Sequence, residues 1–89
     1  MLSKKILITN KLGLHARASA KLVHVASRYA SEIILIKDQQ RVNGKSIMGV
    51  MMLAASKGTE VEIEVTGEDE VAALDAIDHL IANRFGESE

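Results

Sequence analysis

Apolar and charged residues alternate along residues 60–66, and this is the clearest secondary-structure signal in the chain. Val61, Ile63 and Val65 fall on one side of the pattern and three glutamates on the other, which is the two-residue period of a strand with one buried face. Because parallel sheets are usually covered on both faces, this strand predicts a largely antiparallel sheet with one face in solvent.

Three other segments have the composition of strands. We predict a first strand over Lys5–Thr9 and a second over Glu32–Lys37, where four aliphatic residues stand between charged ones. The short segment Arg41–Asn43 follows a polar turn and is expected to pair back on the second strand as a hairpin.

The spacing of apolar residues predicts three helices. The first is expected over residues 15–29, and the second over residues 46–57, with Ser46 as its N-cap. The third is expected over residues 68–84, because acidic side chains suit the first turn of a helix and a glycine follows its last residues. Residues 86–89 are expected to form a loose acidic tail.

The predicted order of elements is β-α-β-β-α-β-α. This order indicates an α+β fold in which an antiparallel sheet is covered by helices on one face. The chain has 89 residues, without a linker or an internal repeat, so we expect a single domain over residues 1–89.

Charge and composition exclude several classes of function. Eleven Lys and Arg stand against 12 Asp and Glu, a net charge of −1, whereas proteins that bind nucleic acid non-specifically have a basic excess. Tyr29 and Phe85 are the only aromatic residues, too few for an RNA module that stacks bases. There is no cysteine, which excludes disulfides and thiolate chemistry. We expect no metal site, no cofactor and no nucleic-acid partner.

The sequence also bears on location. It shows no signal-peptide pattern near its first residues and no window of about 20 apolar residues that would cross a bilayer. Its apolar fraction of 47% and charged fraction of 26% are typical of soluble globular domains. We therefore expect a cytoplasmic protein that does not insert directly into a membrane.

His15 is the histidine most suited to chemistry. His24 and His79 fall on the polar sides of predicted helices, where a solvated imidazole needs no function. His15 stands where the first helix begins, although Ser, Thr, Asp or Asn would cap a helix better by about 0.5–1 kcal/mol. Departures from local preference of this kind tend to mark functional sites.

The start of a helix would give His15 surroundings suited to phosphate. The first backbone amides of a helix have no partner within it, and the helix dipole places partial positive charge there. Arg17 follows two residues later, and its long side chain could bring a planar guanidinium to phosphate oxygens. An imidazole nitrogen in this position could accept a phosphoryl group. The alternative is an ordinary histidine at a helix start.

Residues 43–53 carry a second feature, an apolar segment rich in methionine. Val50 and Leu53 share a face that can point inward, whereas Ile47, Met48 and Met51 cannot all be buried by so short a helix. These methionines either fill an irregular core or form a small exposed patch that docks partners, and both interpretations remain open at this point.

Two stretches of the sequence resemble a known family. They are NKLGLHARASAKLV, residues 10–23, and VNGKSIMGVMMLAASKGTEVEIEV, residues 42–65. Both resemble the HPr family of the bacterial phosphoenolpyruvate-dependent phosphotransferase system, which includes a nitrogen-branch paralogue. The glycine-leucine-histidine-x-arginine motif entering one helix, with KSIMG entering the next, is specific, and the resemblance covers the whole chain. It implies an open-faced β-sandwich of four antiparallel strands under three helices.

The resemblance also implies a function. His15 would accept a phosphoryl group through Nδ1 from enzyme I charged by phosphoenolpyruvate, Arg17 would assist, and an enzyme IIA domain would receive the group. Ser46 matches the serine that an ATP-dependent HPr kinase/phosphorylase modifies in some members. Such a protein is a carrier that acts only with partner proteins, not an enzyme, and we expect it to be a monomer.

The sequence departs from the family pattern at one position. Ala18 stands where many members have proline at the first turn of the helix, so a fixed φ no longer helps to present His15 and Arg17.

The sequence does not decide between the two branches of the family. The GKSIMG segment favours the sugar-uptake branch, whereas residues 83–87 are equally typical of nitrogen-branch proteins.

The predicted docking surface combines the outer sides of the first two helices. Small residues beside the histidine would let a partner approach closely, and positive residues would complement an acidic one. Its members are Ala16, Arg17, Ala20, Lys21, His24, Ile47, Met48 and Met51.

Two other functions compete with the carrier role. One is a regulatory domain that senses a small ligand, which needs a concave apolar pocket. The other is an enzyme acting alone, for which His15 has no evident general-base partner in the sequence.

Overall fold

The computed structural model describes residues 1–88 and has its elements in the predicted order. The strands are β1 (Leu2–Leu7), β2 (Glu32–Lys37), β3 (Gln40–Asn43) and β4 (Glu60–Thr66), and the helices are α1 (Ala16–Ala26), α2 (Ile47–Met52) and α3 (Glu70–Ala82). A 3₁₀ turn over Arg84–Gly86 follows α3. The predicted α+β class and the order β-α-β-β-α-β-α are confirmed.

The four strands form one antiparallel sheet in the order β1-β4-β2-β3. β4 is central, so that Ile63 lies between Lys4 of β1 and Leu35 of β2. Val61, Ile63 and Val65 are buried in the core, and the glutamates that alternate with them keep contact with solvent. The three helices cover the buried face. The open-faced β-sandwich implied by the resemblance is therefore confirmed.

Several element boundaries differ from the prediction. β1 spans residues 2–7 instead of 5–9, because its pairing with β4 runs from Leu2 opposite Val65 to Leu7 opposite Glu60. α1 ends at Ala26, and residues 27–29 continue only as a tight turn. α2 ends at Met52, well before Gly58, because Ala54 takes a left-handed backbone conformation (φ 51°) that no helix continues through.

The segment after α3 is not the loose tail that its composition suggested. Arg84 and Phe85 take left-handed conformations (φ 53° and 56°) that turn the chain back towards α1, and the Phe85 side chain is buried in the core. The Nζ of Lys21 donates a hydrogen bond of 2.7 Å to the Phe85 carbonyl. The prediction was wrong because the acidic composition of the segment does not show that one aromatic side chain anchors it. Glu89, part of the predicted tail, lies outside the described residues.

The loop between β1 and α1 sets the position of the first helix. Leu14 is buried, and its backbone N–H donates to the carbonyl of Ala55 at 2.8 Å. Gly13, at φ 65°, lies so close to the α2–β4 loop that a Cβ at this position would be 2.4 Å from the Ala55 oxygen and 2.7 Å from Cα of Ser56. Only glycine therefore lets the two loops pack together here.

Asp69 joins the start of α3 to the connection between α1 and β2. Its carboxylate accepts hydrogen bonds from the backbone N–H groups of Ala30 (2.8 Å) and Ser31 (2.9 Å), and from the Ser31 hydroxyl. The Ser31 hydroxyl, followed by the Ala30 amide, holds the pKa of Asp69 below its ordinary value, because both donate to the charged form. The ionised carboxylate thus ties two segments that are distant in the chain.

We predict that Asp69 makes the stability of the fold depend on pH. Because its pKa is lower in the folded state, the carboxylate stabilises the fold above about pH 4, and this contribution is lost as the pH falls through the folded-state value. The variant Asp69→Asn should be less stable than the parent at pH 7, and the difference should shrink in acid. Urea unfolding at several pH values measures both effects.

The control for this prediction is Asp75→Asn, which removes an exposed carboxylate from the same helix. It should leave the free energy of unfolding close to that of the parent at every pH. A pH profile of Asp69→Asn that runs parallel to that of the parent would contradict the prediction.

We also predict that Gly13 and Gly58 tolerate alanine to different degrees. Both have left-handed backbones, but a Cβ on Gly58 would meet nothing within 4 Å. Gly58→Ala should therefore cost only the conformational strain, about 1–2 kcal/mol. Gly13→Ala adds the clash with the Ala55–Ser56 backbone, for a total of about 2–5 kcal/mol. Equal losses in urea unfolding would show that the loop contact contributes nothing.

Candidate functional site

His15 is the N-cap residue of α1, one residue from the predicted start of the helix. Its backbone is extended (φ −74°, ψ 179°), and its carbonyl accepts the first helical hydrogen bond, from the N–H of Ser19 at 2.8 Å. Its side chain makes no capping hydrogen bond and is 27% exposed. The imidazole therefore contributes nothing to the cap and is accessible from solvent.

The imidazole has a partner that the sequence analysis missed. Nε2 of His15 lies 2.6 Å from Oε2 of Glu87, and the second carboxylate oxygen accepts a hydrogen bond of 3.1 Å from Nδ2 of Asn10. The prediction of a loose tail over residues 86–89 is therefore wrong at Glu87. The signal that sequence offered was Phe85, an isolated aromatic residue near the end of the chain, which fixes the tail two residues before the glutamate.

The surroundings of Glu87 favour its ionised form. Desolvation acts to raise the pKa of this carboxyl group, but the hydrogen bonds from Asn10 and His15, together with the positive charges of His15 and Lys21, outweigh it. The pKa of Glu87 is consequently below its ordinary value. At neutral pH the imidazole faces a carboxylate that can only accept hydrogen bonds.

His15 lies in an open groove of about 580 Å³ at the N-terminal end of α1. The groove is lined by Lys11, Leu12, His15, Ala16, Arg17, Glu87 and Ser88. Arg17 is exposed and has no hydrogen bond or ion pair with another described residue. Its guanidinium is therefore available to an anion that enters the groove.

Three further residues of the predicted docking surface, Ala20, Lys21 and His24, line an adjoining depression together with Arg17. Ala16, Ala20 and His24 are exposed along α1, and the Nε2 of His24 lies 3.3 Å from the guanidinium of Arg28. Lys21 is half-buried, because its ammonium group is bonded to the Phe85 carbonyl. The ammonium group of Lys21 thus contacts the segment that follows α3.

The methionine-rich segment is an exposed apolar patch and does not fill the core. Ile47, Met48 and Met51 are 43%, 72% and 40% exposed, and Met52, which we did not include, is 66% exposed. Val50 and Leu53 are buried, as predicted. α2 packs against α1, so the patch lies on the helix next to the one that follows His15.

Ser46 is the N-cap of α2, as predicted. Its Oγ accepts a hydrogen bond of 3.1 Å from the N–H of Gly49, and its side chain is half-buried. It directly precedes Ile47 and Met48, two residues of the apolar patch. Any charge added to Ser46 would therefore lie at the edge of that patch.

Ala18 lies in the first turn of α1 with its side chain fully buried. Contacts with the core therefore hold the turn that a proline holds in many members of the family. Within residues 1–88, no three His, Asp or Glu side chains are grouped so that they could hold a metal ion, and no helix is long and apolar enough to cross a membrane.

Known proteins of one family match this chain in sequence and in structure. A sequence profile described as "PTS HPr component phosphorylation site" matches residues 2–83. "Phosphocarrier protein HPr" of Neisseria meningitidis serogroup A is 56% identical over 89 residues, which covers the whole of both chains.

Two solved structures from Thermoanaerobacter tengcongensis are similar to this fold. The crystal structure of HPr-C-His gives a TM-score of 0.97 at 45% identity, over the whole of both chains. The crystal structure of an HPr dimer gives a TM-score of 0.79 at 46% identity, over 98% of this chain and all of that one. The chain described here therefore belongs to the HPr family, the phosphocarrier proteins of the phosphotransferase system.

Proposed function

We propose that this phosphocarrier holds its phosphoryl group on His15, accepts it from enzyme I charged by phosphoenolpyruvate, and passes it to an enzyme IIA domain. Membership of the HPr family supports the carrier role. The observation that carries the choice of residue is the imidazole of His15, which is accessible and unused for capping at the N-terminus of α1. His24 and His79 lack these surroundings, because each lies within or near the last turn of a helix.

The transfer step needs little more than this geometry. The lone pair of an imidazole nitrogen attacks phosphorus, a P–N bond forms, and the bond to the donor breaks with its electron pair returning to the donor. The protein must position the group and stabilise its charge. Arg17 lines the groove, its guanidinium makes no ion pair within residues 1–88, and it is suited to bind phosphoryl oxygens through charge-assisted hydrogen bonds.

We further propose that partners dock on the exposed sides of α1 and α2, over His15 and the apolar patch. Ala16 and Ala20 are small, so a partner surface can come close to the imidazole. Exposed methionines can adapt their shape to more than one partner. In this proposal the protein acts in the cytoplasm as a monomer, with either a sugar-uptake or a nitrogen-branch acceptor.

We predict that incubation with phosphoenolpyruvate and enzyme I adds one phosphate to the protein. The adduct should be labile in acid, as a phosphoramidate is, and intact-mass spectrometry should detect it in the parent but not in His15→Ala. His24→Ala and His79→Ala are matched controls that should be phosphorylated like the parent. In the same assay Arg17→Ala should slow uptake roughly 10- to 100-fold, the effect of losing one charge-assisted hydrogen bond.

Two outcomes would contradict this proposal. An adduct that persists in His15→Ala would place the phosphoryl group elsewhere. No adduct in the parent, together with tight stoichiometric binding of a metabolite, would favour the ligand-sensing alternative.

We propose that phosphorylation of Ser46 by an HPr kinase/phosphorylase, where one is present, weakens docking. Supporting this, Ser46 lies at the edge of the apolar patch, next to Ile47 and Met48. A phosphate adds nearly two negative charges at pH 7 and disrupts an apolar interface or one with an acidic partner. The regulation would act on docking without changing His15 itself.

We predict that Ser46→Asp takes up phosphate from enzyme I more slowly than the parent, several-fold at limiting enzyme I. Aspartate is a good N-cap, so the variant keeps α2 and any change in rate reports the added charge. Gln39→Asp adds the same charge in the exposed β2–β3 turn and should react at the parental rate. Equal rates for Ser46→Asp and the parent would remove the regulatory proposal.

A further inference from the structure

We propose that Glu87, held by Asn10, is a positioning residue that fixes the tautomer of His15 and thereby offers Nδ1 to the phosphoryl group. This inference rests on the proposed function of His15 as the acceptor. It assigns a role to a carboxylate and an amide that lie at opposite ends of the chain.

The contact between Glu87 and His15 determines which ring nitrogen carries the proton. An ionised carboxylate has no proton to donate, and its Oε2 lies 2.6 Å from Nε2 of the imidazole. A hydrogen bond at this distance therefore requires the proton to be on Nε2. In a neutral imidazole the lone pair then resides on Nδ1, the other ring nitrogen.

Asn10 fixes the direction of the carboxylate. It is fully buried, and its Nδ2 donates to two acceptors, the Gly13 carbonyl at 2.8 Å and Oε1 of Glu87 at 3.1 Å. Because both neighbours accept hydrogen bonds, only the NH₂ side of the amide can face them. Its Oδ1 is left buried without a partner among residues 1–88. A buried carbonyl oxygen without a hydrogen bond carries a free-energy penalty.

The backbone of the tail is fixed independently of these polar contacts. Phe85 is 1% exposed, and Lys21 binds its carbonyl at 2.7 Å. The N–H of Glu87 donates to the Arg84 carbonyl at 2.9 Å. The carboxylate is thus presented to His15 by a segment that is anchored in the core, which distinguishes it from a surface glutamate that meets a histidine by chance.

The arrangement suits both directions of the transfer. When Nδ1 forms its bond to phosphorus, no proton leaves the ring; Nε2 keeps its hydrogen and the ring gains positive charge. The carboxylate of Glu87 stabilises that charge through the Nε2–H bond. When the group passes on, the P–Nδ1 bond breaks, its electron pair returns to Nδ1, and the ring is neutral again in the same tautomer.

The test measures the tautomer directly, without any partner protein. Imidazole ¹⁵N NMR at about pH 9, well above the ordinary pKa of an imidazole, should show the Nε2–H form in the parent and a substantial Nδ1–H population in Glu87→Ala. Phosphoryl uptake from enzyme I should fall severalfold in the same variant, because the Nδ1–H fraction has no lone pair at the attacking nitrogen and the positive charge that develops on the ring loses its carboxylate partner.

Two further variants separate geometry from charge. Glu87→Gln keeps an oxygen that can accept from Nε2–H but loses the charge, so it should retain more of the parental tautomer than Glu87→Ala and react at an intermediate rate. Glu60→Ala removes an exposed carboxylate from β4 and should match the parent in both measurements. Urea unfolding of each variant confirms that the fold is intact.

The outcomes distinguish this inference from the function on which it rests. An unchanged tautomer in Glu87→Ala would overturn the positioning role, whether or not the rate changes. A changed tautomer with an unchanged rate would also overturn it, because the fixed lone pair would then not matter for transfer. If the parent takes up no phosphoryl group, the carrier role of His15 fails, while the NMR result still decides whether Glu87 sets the tautomer.

Discussion

The hydrogen bond between the imidazole of His15 and the carboxylate of Glu87 is the interaction on which the site depends. It joins groups 72 residues apart in the chain, at a separation of 2.6 Å. Two anchors make this possible. Leu14, buried and bonded to Ala55, fixes the start of α1, and Phe85, buried in the core, fixes the tail. The reactive ring is therefore held by the packing of the fold, although the ring itself is partly in solvent.

The two sides of α1 have different roles. Ala18, Ser19, Leu22 and Ala26 are buried, and α1 packs against α2 and α3. The other side is left to solvent, and it carries the groups proposed for transfer and docking. Alanine in place of proline at position 18 is compatible with this division, because its side chain is wholly within the core and packing restrains the turn.

Much of this fold follows from short-range pattern. β4 was predicted with its observed bounds because each glutamate in it has an aliphatic neighbour, and the pattern leaves one register of buried residues. His15 was found at the helix start because an imidazole is unusual there. The ends of the elements are harder to predict from sequence. The C-terminal end of α2 depends on the left-handed backbone of Ala54, and alanine as a residue type does not indicate that conformation.

The carboxylate partner of His15 is the part of the site that sequence reasoning missed. Glu87 stands among acidic residues after the last helix, and composition alone describes such a segment as solvated. Its position depends on Phe85 and Lys21, that is, on a hydrophobic contact and a backbone contact that exist only once α1 and α3 have packed. Tertiary contacts of this kind leave no periodic trace in the sequence.

The strand order has a consequence for synthesis of the protein. β4 lies between β1 and β2, yet it is the last of these four strands to be synthesised. Until residues 60–66 are made, β1 has no strand to pair with, and β2 has only its local hairpin with β3. Before β4 is made, the nascent chain thus holds unpaired, aliphatic strand segments, a state prone to association with other chains. When β4 pairs with β1, it closes the longest loop of the sheet. The sheet can therefore form only after β4 has been synthesised.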